Sequence, residues 1–237
     1  MQITQIFISH NNAAMGQQLE NNSRTVKGLA KGARYKLYGD DEIRKLLQDR
    51  FPSEVLAGYE SLAPYAYKAD LARYCILHEE GGWYFDIGMR SAVTQIQVPS
   101  EVSLIAFREI NKYTLTSYAC DNCIIYSKPR GPTTAKAIEL ALENIRQENY
   151  GLTPLCPTGP SLWGRAIALT GADKSIIFGD SIELTPLHNI KNKAMVLPDG
   201  TILAFKKSAA GGDLQSLGAT GTNNYNEFWH SRSVYKK

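Results

Sequence analysis

Asp70 and Arg73 lie three residues apart in the stretch KADLARYCILHEEGGWYFDIGM, which covers residues 68 to 89. Residues with this spacing project from one face of a helix, so both side chains can reach one site while the apolar residues around them turn into a core. A guanidinium is a forked donor to oxygen atoms, and a carboxylate accepts hydrogen bonds from hydroxyl groups. The pair therefore has the chemistry to hold an oxygen-rich ligand.

A second polar pair follows on a predicted strand. The helix is expected to begin after Pro64 and to end at Gly81 and Gly82, and WYFDI then has the composition of a strand. Strand side chains alternate, so Tyr84 and Asp86 point the same way. Both polar pairs are expected to line one pocket beyond the carboxyl end of the strand, where open α/β sheets bind ligands. Their mixture of donors, acceptors and an aromatic ring suits a nucleotide sugar.

A simpler interpretation of these residues stays open. Asp70 and Arg73 can form an ion pair on a helix surface, Tyr84 can be half-buried and Asp86 can cap a turn. Such an ion pair contributes roughly 0.5 kcal/mol, and for the pair alone this interpretation is favoured. The complete string argues for a site, because an aspartate in an apolar strand is costly to bury unless a ligand or metal ion supplies its partner.

The other predicted elements alternate as in an α/β fold. Strands are predicted in ITQIFIS, RYKLY, VSLIAF and NCIIYS, and helices in NNSRTVKGLA, DDEIRKLLQDRF, SEVLAGYESL, TTAKAIELALENIRQ and SLWGRAIAL. Pro198, Asp199 and Gly200 indicate a hairpin between two apolar runs. Residues 208 to 224 are small, polar and glycine-rich, which predicts a mobile loop before a final short helix in YNEFWHSRSVY.

The composition is that of one globular domain spanning residues 1–237. Hydrophobic residues make up 43% of the chain, and no apolar run approaches the roughly 18 residues of a membrane span. The net charge of +3 is too small to indicate nucleic-acid binding, and the C-terminal VYKK favours only a weak peripheral contact with an anionic membrane. The N-terminus lacks the features of a secretion signal, so the mature protein is expected to begin at Met1.

The cysteines do not have the spacing of a metal site. CDNC, residues 120 to 123, resembles a redox dithiol, but such motifs work at a helix N-terminus and CIIYS has the pattern of a strand. We therefore expect buried, reduced thiols, which agrees with a cytoplasmic location. The four cysteines are Cys75, Cys120, Cys123 and Cys156.

The stretch KADLARYCILHEEGGWYFDIG resembles the sugar-binding DxD region of retaining glycosyltransferases similar to glycosyltransferase family 32. This group includes bacterial capsular and lipopolysaccharide enzymes, Golgi mannosyltransferases and toxin glucosyltransferase domains. Weaker likenesses occur in ITQIFIS, YKLYGDDEI, TGPSLWGRA and NNYNEFWHSR. The resemblance implies an α/β, GT-A-like (Rossmann-related) fold with a mixed sheet flanked by helices and a C-terminal closing segment. The motif matches at Asp70, Arg73, Tyr74, Leu77, Gly81, Gly82, Tyr84 and Asp86.

The resemblance also implies a role for each matching position. Asp70, Arg73 and Asp86 would form the catalytic set: the first two would hold sugar hydroxyls, and Asp86 would bind ribose or metal. Tyr84 would help to position the nucleotide. For the C-terminal candidates, a helix cap, a packed aromatic and a surface histidine are equally good interpretations. The remaining donor-site candidates are Ile8, Ser9, His10, Asp40, Asn224, Trp229 and His230, and the acceptor-side candidates are Glu109 and Asn122.

Gly88 departs from the family motif. In the family the second aspartate of DxD ligates Mn²⁺ or Mg²⁺, which bridges the donor diphosphate. Three outcomes stay open: a rearranged metal site, replacement of the metal by cationic side chains such as Arg73 or Arg90, or loss of catalysis. We favour the rearranged site, because the sugar-binding residues and the C-terminal segment are retained. Its candidate ligands are Asp86 with Asp213, Asn224 or Asn226.

The resemblance implies a retaining glycosyltransferase that moves a sugar from a nucleotide donor to a hydroxyl of a bacterial surface glycan, free or lipid-linked. A UDP-hexose or UDP-N-acetylhexosamine is favoured over GDP-mannose. The acceptor would attack from the front face and pass its proton to the leaving phosphate. We expect the enzyme in the cytoplasm, with the inner membrane face as the place of a lipid-linked acceptor. The alternatives are a degenerate, non-catalytic nucleotide or carbohydrate binder and an unrelated α/β protein.

Overall fold

The structure is a computed structural model that describes residues 1–30, 32–171, 173–187, 190–208 and 214–236. For residues 185–187, 190, 191, 207, 208 and 216 it describes the backbone only. Its helices are α1 (Gln17–Gly28), α2 (Asp40–Arg50), α3 (Ser53–Ser61), α4 (Tyr65–Glu80), α5 (Asn111–Thr114), α6 (Pro132–Arg146), α7 (Pro160–Thr170) and α8 (Tyr225–His230). Short 3-10 helices lie at His10–Asn12 and Leu214–Leu217. None of the described helices has both the length and the apolar character needed to cross a membrane.

The strands of the described chain form one mixed sheet in the order β2-β1-β3-β6-β5-β7-β8-β9-β4. The pairs β1 with β2, β1 with β3 and β5 with β7 are parallel, and the other pairs are antiparallel. The bounds are β1 (Gln2–Ile6), β2 (Arg34–Tyr38), β3 (Gly82–Phe85), β4 (Met89–Ser91), β5 (Leu104–Arg108), β6 (Cys120–Ser127), β7 (Ile176–Leu187), β8 (Ile190–Val196) and β9 (Ile202–Ser208).

Alternation along β3 divides its side chains between two apolar cores. Tyr84 packs in the core that the helices α4, α6 and α7 cover, and Trp83 and Phe85 pack in the core that contains Val26 of α1. The sequence predicted this division, because successive strand residues point to opposite faces. Strand alternation ends at Phe85, after which residues 86–89 form a β-turn closed by a 2.9 Å hydrogen bond from the Met89 amide to the Asp86 carbonyl.

The predicted mixed α/β architecture is confirmed, and the hairpin around residues 198–200 joins β8 to β9. The sequence analysis did not anticipate β4, α5 or β7. In β7, a glycine is required at position 179, because a Cβ atom there would lie 2.5 Å from the Phe107 ring. A glycine that permits such an approach weakens the sequence signal of a strand.

Residues 208–224 are only partly described. The Leu214–Leu217 helix brings Leu217 and Ala219 into a small core with Leu19 and Ile87. The Gly221 carbonyl accepts a 2.8 Å hydrogen bond from the His10 amide. The mobility of 208–224 stays a prediction, and residues 209–213, which include Asp213, lie outside the described residues.

Gly82 gives the first test of the fold. Its φ is +96°, and a Cβ atom there would lie 2.3 Å from the Gln2 carbonyl oxygen, which is backbone and cannot move aside. Gly82→Ala is therefore expected to lower the free energy of unfolding by about 2 to 4 kcal/mol. Chemical denaturation measures this loss.

The matched control is Gly28→Ala, because Gly28 lies in α1 and a Cβ atom there meets nothing within 4 Å. This control should be neutral or stabilise by up to about 1 kcal/mol. Equal stabilities for the two alanine variants would contradict the tight β1 to β3 approach.

Candidate active site

The main cavity, of about 420 Å³, lies where the carboxyl ends of β1 and β3 meet. This volume is in the range of sites for small ligands. The carboxyl ends of the strands are the edge at which open α/β sheets bind ligands. The charged residues that line the cavity are Asp70, Arg73, Asp86, Glu109, Asp121, Lys193 and Lys206.

Arg73 joins the two polar pairs predicted from the sequence. Its Nη2 lies 2.8 Å from Asp70 Oδ1, and its Nη1 lies 2.9 Å from Asp86 Oδ1. The guanidinium carbon is 4.6 Å from the centre of the Tyr84 ring. Burial alone would lower the pKa of Arg73, but Tyr84, Asp86 and Asp70 hold it well above the ordinary value. Arg73 is thus a fixed positive charge that orders both aspartates.

Asp70 forms the buried floor of the cavity together with its hydrogen-bond partners Asn122 and Thr158. Its Oδ1 accepts a 2.9 Å hydrogen bond from the Asn122 amide, and its Oδ2 accepts a 2.8 Å bond from the Thr158 hydroxyl. The Tyr74 hydroxyl donates to the Thr158 carbonyl at 2.8 Å, which ties the TGP turn, residues 158–160, to α4. Burial raises the pKa of Asp70 against the opposing effect of Arg73. Asp70 therefore positions α4, β6 and the TGP turn, and Asn122 takes part in the same network.

Asp86 is shared between two cations at the mouth of this network. Its Oδ1 accepts a 2.8 Å hydrogen bond from the Tyr84 hydroxyl in addition to the Arg73 contact. Its Oδ2 lies 3.0 Å from Lys206 Nζ. The Asp86 side chain is 23% exposed, whereas Tyr84 is buried. The Tyr84 hydroxyl is engaged by Asp86 and its ring by Arg73, so Tyr84 orients both of these residues.

Lys193 of β8 and Lys206 of β9 face each other across the hairpin in antiparallel register. Lys193 Nζ lies 2.6 Å from Glu109 Oε1 and 3.3 Å from Asp121 Oδ2. Burial alone would lower the pKa of Lys193, but Asp121 and Glu109 raise it above its ordinary value. The hairpin therefore places two charged ammonium groups on one side of the cavity.

Glu109 and Asp121 share Lys193 but differ in acidity. Burial, reinforced by the Asp121 charge, raises the pKa of Glu109 to about 7. Burial acts the same way on Asp121, but Lys193 and Lys206 outweigh it and hold the pKa of Asp121 well below its usual range. Near neutral pH, Glu109 is thus the group in this cluster that exchanges a proton.

A second cavity, of about 290 Å³, holds the other N-terminal candidates. Ile8 lines both cavities, whereas Ser9, His10 and Asp40 line only the second. The Ser9 hydroxyl donates to the Ala13 carbonyl at 2.9 Å. The structure therefore groups these four candidates, and Ile8 connects them to the cavity of Asp70 and Arg73.

The C-terminal candidates are divided. Asn226 lines the main cavity, but Asn224 caps α8 by accepting a 3.0 Å hydrogen bond from the Asn226 amide. The Trp229 indole donates to the Tyr150 carbonyl at 2.9 Å and packs against the core, and His230 is exposed with its ring edge on Trp229. The structure does not bring Asn224, Trp229 or His230 to the cavity, because α8 turns them away from it.

The favoured metal set is not assembled in the described part of the chain. Asn224 is engaged as a cap, and both oxygens of Asp86 contact cationic groups. Within the described residues, no group of three or more His, Cys, Asp or Glu side chains is arranged to hold an ion. A divalent ion at Asp86 would have to displace Lys206. The described members of the donor set therefore do not fit Mn²⁺ or Mg²⁺, and Asp213 lies outside the described residues.

The sequence analysis missed the two lysines that form a cationic wall of the cavity, Lys193 and Lys206. Lys193 and Lys206 are not among its candidate residues, and Asp121 enters it only within CDNC. The available signal was a lysine on each side of the predicted hairpin AMVLPDGTILAF, at positions where a continued pairing of the two strands sets Lys193 opposite Lys206. Cys120 and Cys123 are buried and free, as predicted. Arg90 stacks on Phe205 instead of lining the cavity.

The overall fold is that of GT-A glycosyltransferases. The solved structure named PaToxG Glycosyltransferase matches with a TM-score of 0.55, covering 71% of this chain and 69% of that chain at 21% identity. At this identity the likeness is one of fold. It confirms the predicted GT-A-like mixed sheet flanked by helices.

The sequence comparisons agree with the fold. Residues 17–100 match the family described as glycosyltransferase sugar-binding region containing DXD motif. Uncharacterized glycosyltransferase L373 of Acanthamoeba polyphaga mimivirus is 41% identical over 58 residues, which are 24% of this chain and 23% of the viral protein. The matched part thus spans about a quarter of that relative. Both sequence matches agree with the class of protein expected from the central motif.

Glu109 gives a pH prediction. The folded protein retains the Glu109 proton up to a pKa of about 7, against an ordinary value of 4.5. A folded pKa above the unfolded one makes stability fall as the pH rises between these two values, by roughly 1 to 3 kcal/mol. Glu109→Gln should remove most of this fall. Denaturation of both proteins at pH 5 and pH 8 measures it.

Glu101→Gln, at an exposed glutamate, is the matched control and should keep the fall seen in the wild type. The pH window lies above the range in which Asp121 titrates, so Asp121 does not contribute. Identical pH dependence in the wild type and Glu109→Gln would contradict the raised pKa of Glu109.

Proposed function

We propose that this chain is a retaining glycosyltransferase that binds a nucleotide sugar in the main cavity and transfers the sugar to a glycan hydroxyl. One observation carries the proposal. The part of the chain that matches the sugar-binding region contributes Asp70, Arg73 and Asp86 to one cavity at the carboxyl ends of β1 and β3. In that cavity Arg73 orders both carboxylates and leaves the mouth lined by further charged groups.

The proposed donor orientation follows from the distribution of the groups. The sugar lies toward Asp70 and Asn122, whose oxygens accept from hydroxyls. The diphosphate lies toward Lys193 and Lys206, which are the cations of the hairpin. The nucleoside extends past Ile8 toward the second cavity, which contains Asp40. A uridine nucleotide remains the favoured donor.

Retention of configuration agrees with the state of the cavity carboxylates. Each of Asp70, Asp86, Glu109 and Asp121 contacts a buried cation, which makes it a weak candidate for a covalent nucleophile. In the proposed reaction the acceptor oxygen bonds to the anomeric carbon as the bond to the diphosphate breaks. The leaving phosphate keeps that electron pair and takes the acceptor proton. The cations stabilise the charge that develops on the leaving group.

The acceptor enters beside Glu109 in this scheme, since Glu109 lines the cavity and exchanges a proton near neutral pH. The likeness of the motif to capsular and lipopolysaccharide enzymes supports a bacterial surface glycan, free or lipid-linked, as the acceptor. The same likeness supports a cytoplasmic enzyme that meets a lipid-linked acceptor at the inner membrane face. A degenerate protein that binds nucleotide or carbohydrate without transfer is the second candidate, favoured by Gly88.

Donor hydrolysis tests the proposed function. UDP-, GDP- and CMP-sugars are incubated with the full chain, each in EDTA and in Mn²⁺, so that a metal requirement does not decide the result. We expect slow hydrolysis of one class of donor. Asp86→Asn should reduce it at least tenfold, because the change removes the charge that orients Arg73 and Lys206.

Asp180→Asn is the matched control, since Asp180 forms an exposed ion pair with Arg108 away from the cavity. It should hydrolyse the donor at the wild-type rate. Binding of a donor without hydrolysis, in the presence of candidate acceptors, would favour the degenerate binder. Absence of both binding and hydrolysis for every donor would contradict a nucleotide-sugar site.

A further inference from the structure

Gly88 stands where the family has the second aspartate of DxD, so this position offers no side-chain ligand to a metal ion. Gly88 lines the cavity within the β-turn of residues 86–89, and its carbonyl accepts a 3.1 Å hydrogen bond from the Asn22 side chain. Asp86 therefore stands alone as the carboxylate of the motif. A single carboxylate already paired with Arg73 and Lys206 is a poor ligand for a divalent ion, which prefers several free oxygens.

The hairpin supplies positive charge at the same place. Lys193 and Lys206 are directly opposite each other in the register of β8 and β9, and both line the cavity. Like charges in directly opposite positions of a sheet destabilise it. Asp86, Asp121 and Glu109 offset this repulsion on the protein side. An anionic ligand between the two lysines would offset it further.

Lys206 has the charge and the access that such a role requires. Burial opposes its charge, but Cys123, Asp86 and Asp121 raise its pKa well above the ordinary value. Its side chain is 22% exposed, whereas that of Lys193 is 7% exposed. An ammonium group has three N–H donors, and Asp86 Oδ2 accepts one of them. The others can bind phosphate oxygens.

We propose that Lys206, supported by Lys193, binds the donor diphosphate in place of a divalent metal ion, so that this enzyme cleaves its donor without a metal. The inference rests on the proposed function and deepens it. In the reaction, the bond between the anomeric carbon and the phosphate oxygen breaks, and its electron pair stays on the leaving diphosphate. Lys206 stabilises that charge by hydrogen bonds and keeps its own proton.

The other cations are less suitable for this role. Arg73 is buried between Asp70 and Asp86 and its Nη1 also donates to the Asn122 carbonyl at 2.6 Å. Arg90 lies on β4, where its guanidinium stacks on Phe205 outside the lining of the cavity. Among the described cations of the cavity, Lys206 contacts the motif aspartate and keeps a partly exposed side chain.

Equilibrium binding tests the inference without depending on catalysis. Calorimetric titrations of the full chain in EDTA use UDP, GDP, inorganic pyrophosphate and uridine as probes. We expect metal-free binding of pyrophosphate and of one nucleoside diphosphate. Lys206→Met should weaken both at least tenfold and leave uridine affinity unchanged. Lys206→Arg should restore part of the loss, because it restores the charge.

Arg90→Gln is the matched control, since it removes a cation from the neighbouring strand but not from the cavity lining. It should bind every probe as the wild type does. Thermal unfolding of each variant separates a local effect from a folding defect. If Lys206→Met does not fold, Lys206→Gln and Lys206→Arg are compared in the same titrations.

A Mn²⁺ titration followed by electron paramagnetic resonance completes the test. We expect no saturable Mn²⁺ site below millimolar concentration, with or without UDP, and equal donor hydrolysis in EDTA and in Mn²⁺. Hydrolysis abolished by EDTA and restored by Mn²⁺ would overturn the metal-free inference and leave the proposed function intact. Unchanged pyrophosphate affinity in Lys206→Met would also overturn it. No donor binding by the wild type under any condition would overturn both.

Discussion

The buried guanidinium of Arg73 is the interaction on which the site depends. An isolated charge in this position would be strongly unfavourable, so Arg73 requires Asp70 and Asp86 to be in place. The two aspartates come from α4 and from the end of β3, and their common partner holds the helix against the strand. Removing one member of such a buried pair typically costs about 3 to 5 kcal/mol. The geometry of the cavity floor is therefore part of the stability of the fold.

Charges of both signs line the cavity and nearly balance. Three cations, Arg73, Lys193 and Lys206, face Asp70, Asp86, Asp121 and Glu109. With Glu109 protonated the two signs balance, and a pKa of about 7 lets this happen near neutral pH. An entering diphosphate adds negative charge, which favours the protonated form of Glu109. Donor binding and proton uptake are thus linked through the buried cluster around Lys193.

Local patterns in the sequence were sufficient for the motif and its supports. Helical spacing placed Asp70 and Arg73 together, and strand alternation placed Tyr84 beside Asp86, because both patterns depend on neighbours along the chain. The lysine wall depends on the register of β8 and β9 and on where their hairpin lies in the sheet. The place of the hairpin in the sheet is a long-range feature, which patterns along the chain do not give. Trp229 shows the converse, since a likeness of sequence did not reveal that its ring packs against the core and its indole donates a hydrogen bond to the Tyr150 carbonyl.

The most direct test of the account is a crystal structure of the full chain with a non-hydrolysable nucleotide-sugar analogue, grown in EDTA. The account predicts the diphosphate within hydrogen-bond distance of Lys206 Nζ, with the sugar toward Asp70 and the nucleoside toward Ile8. Analogue bound away from the main cavity at full occupancy would contradict the assignment of the donor site.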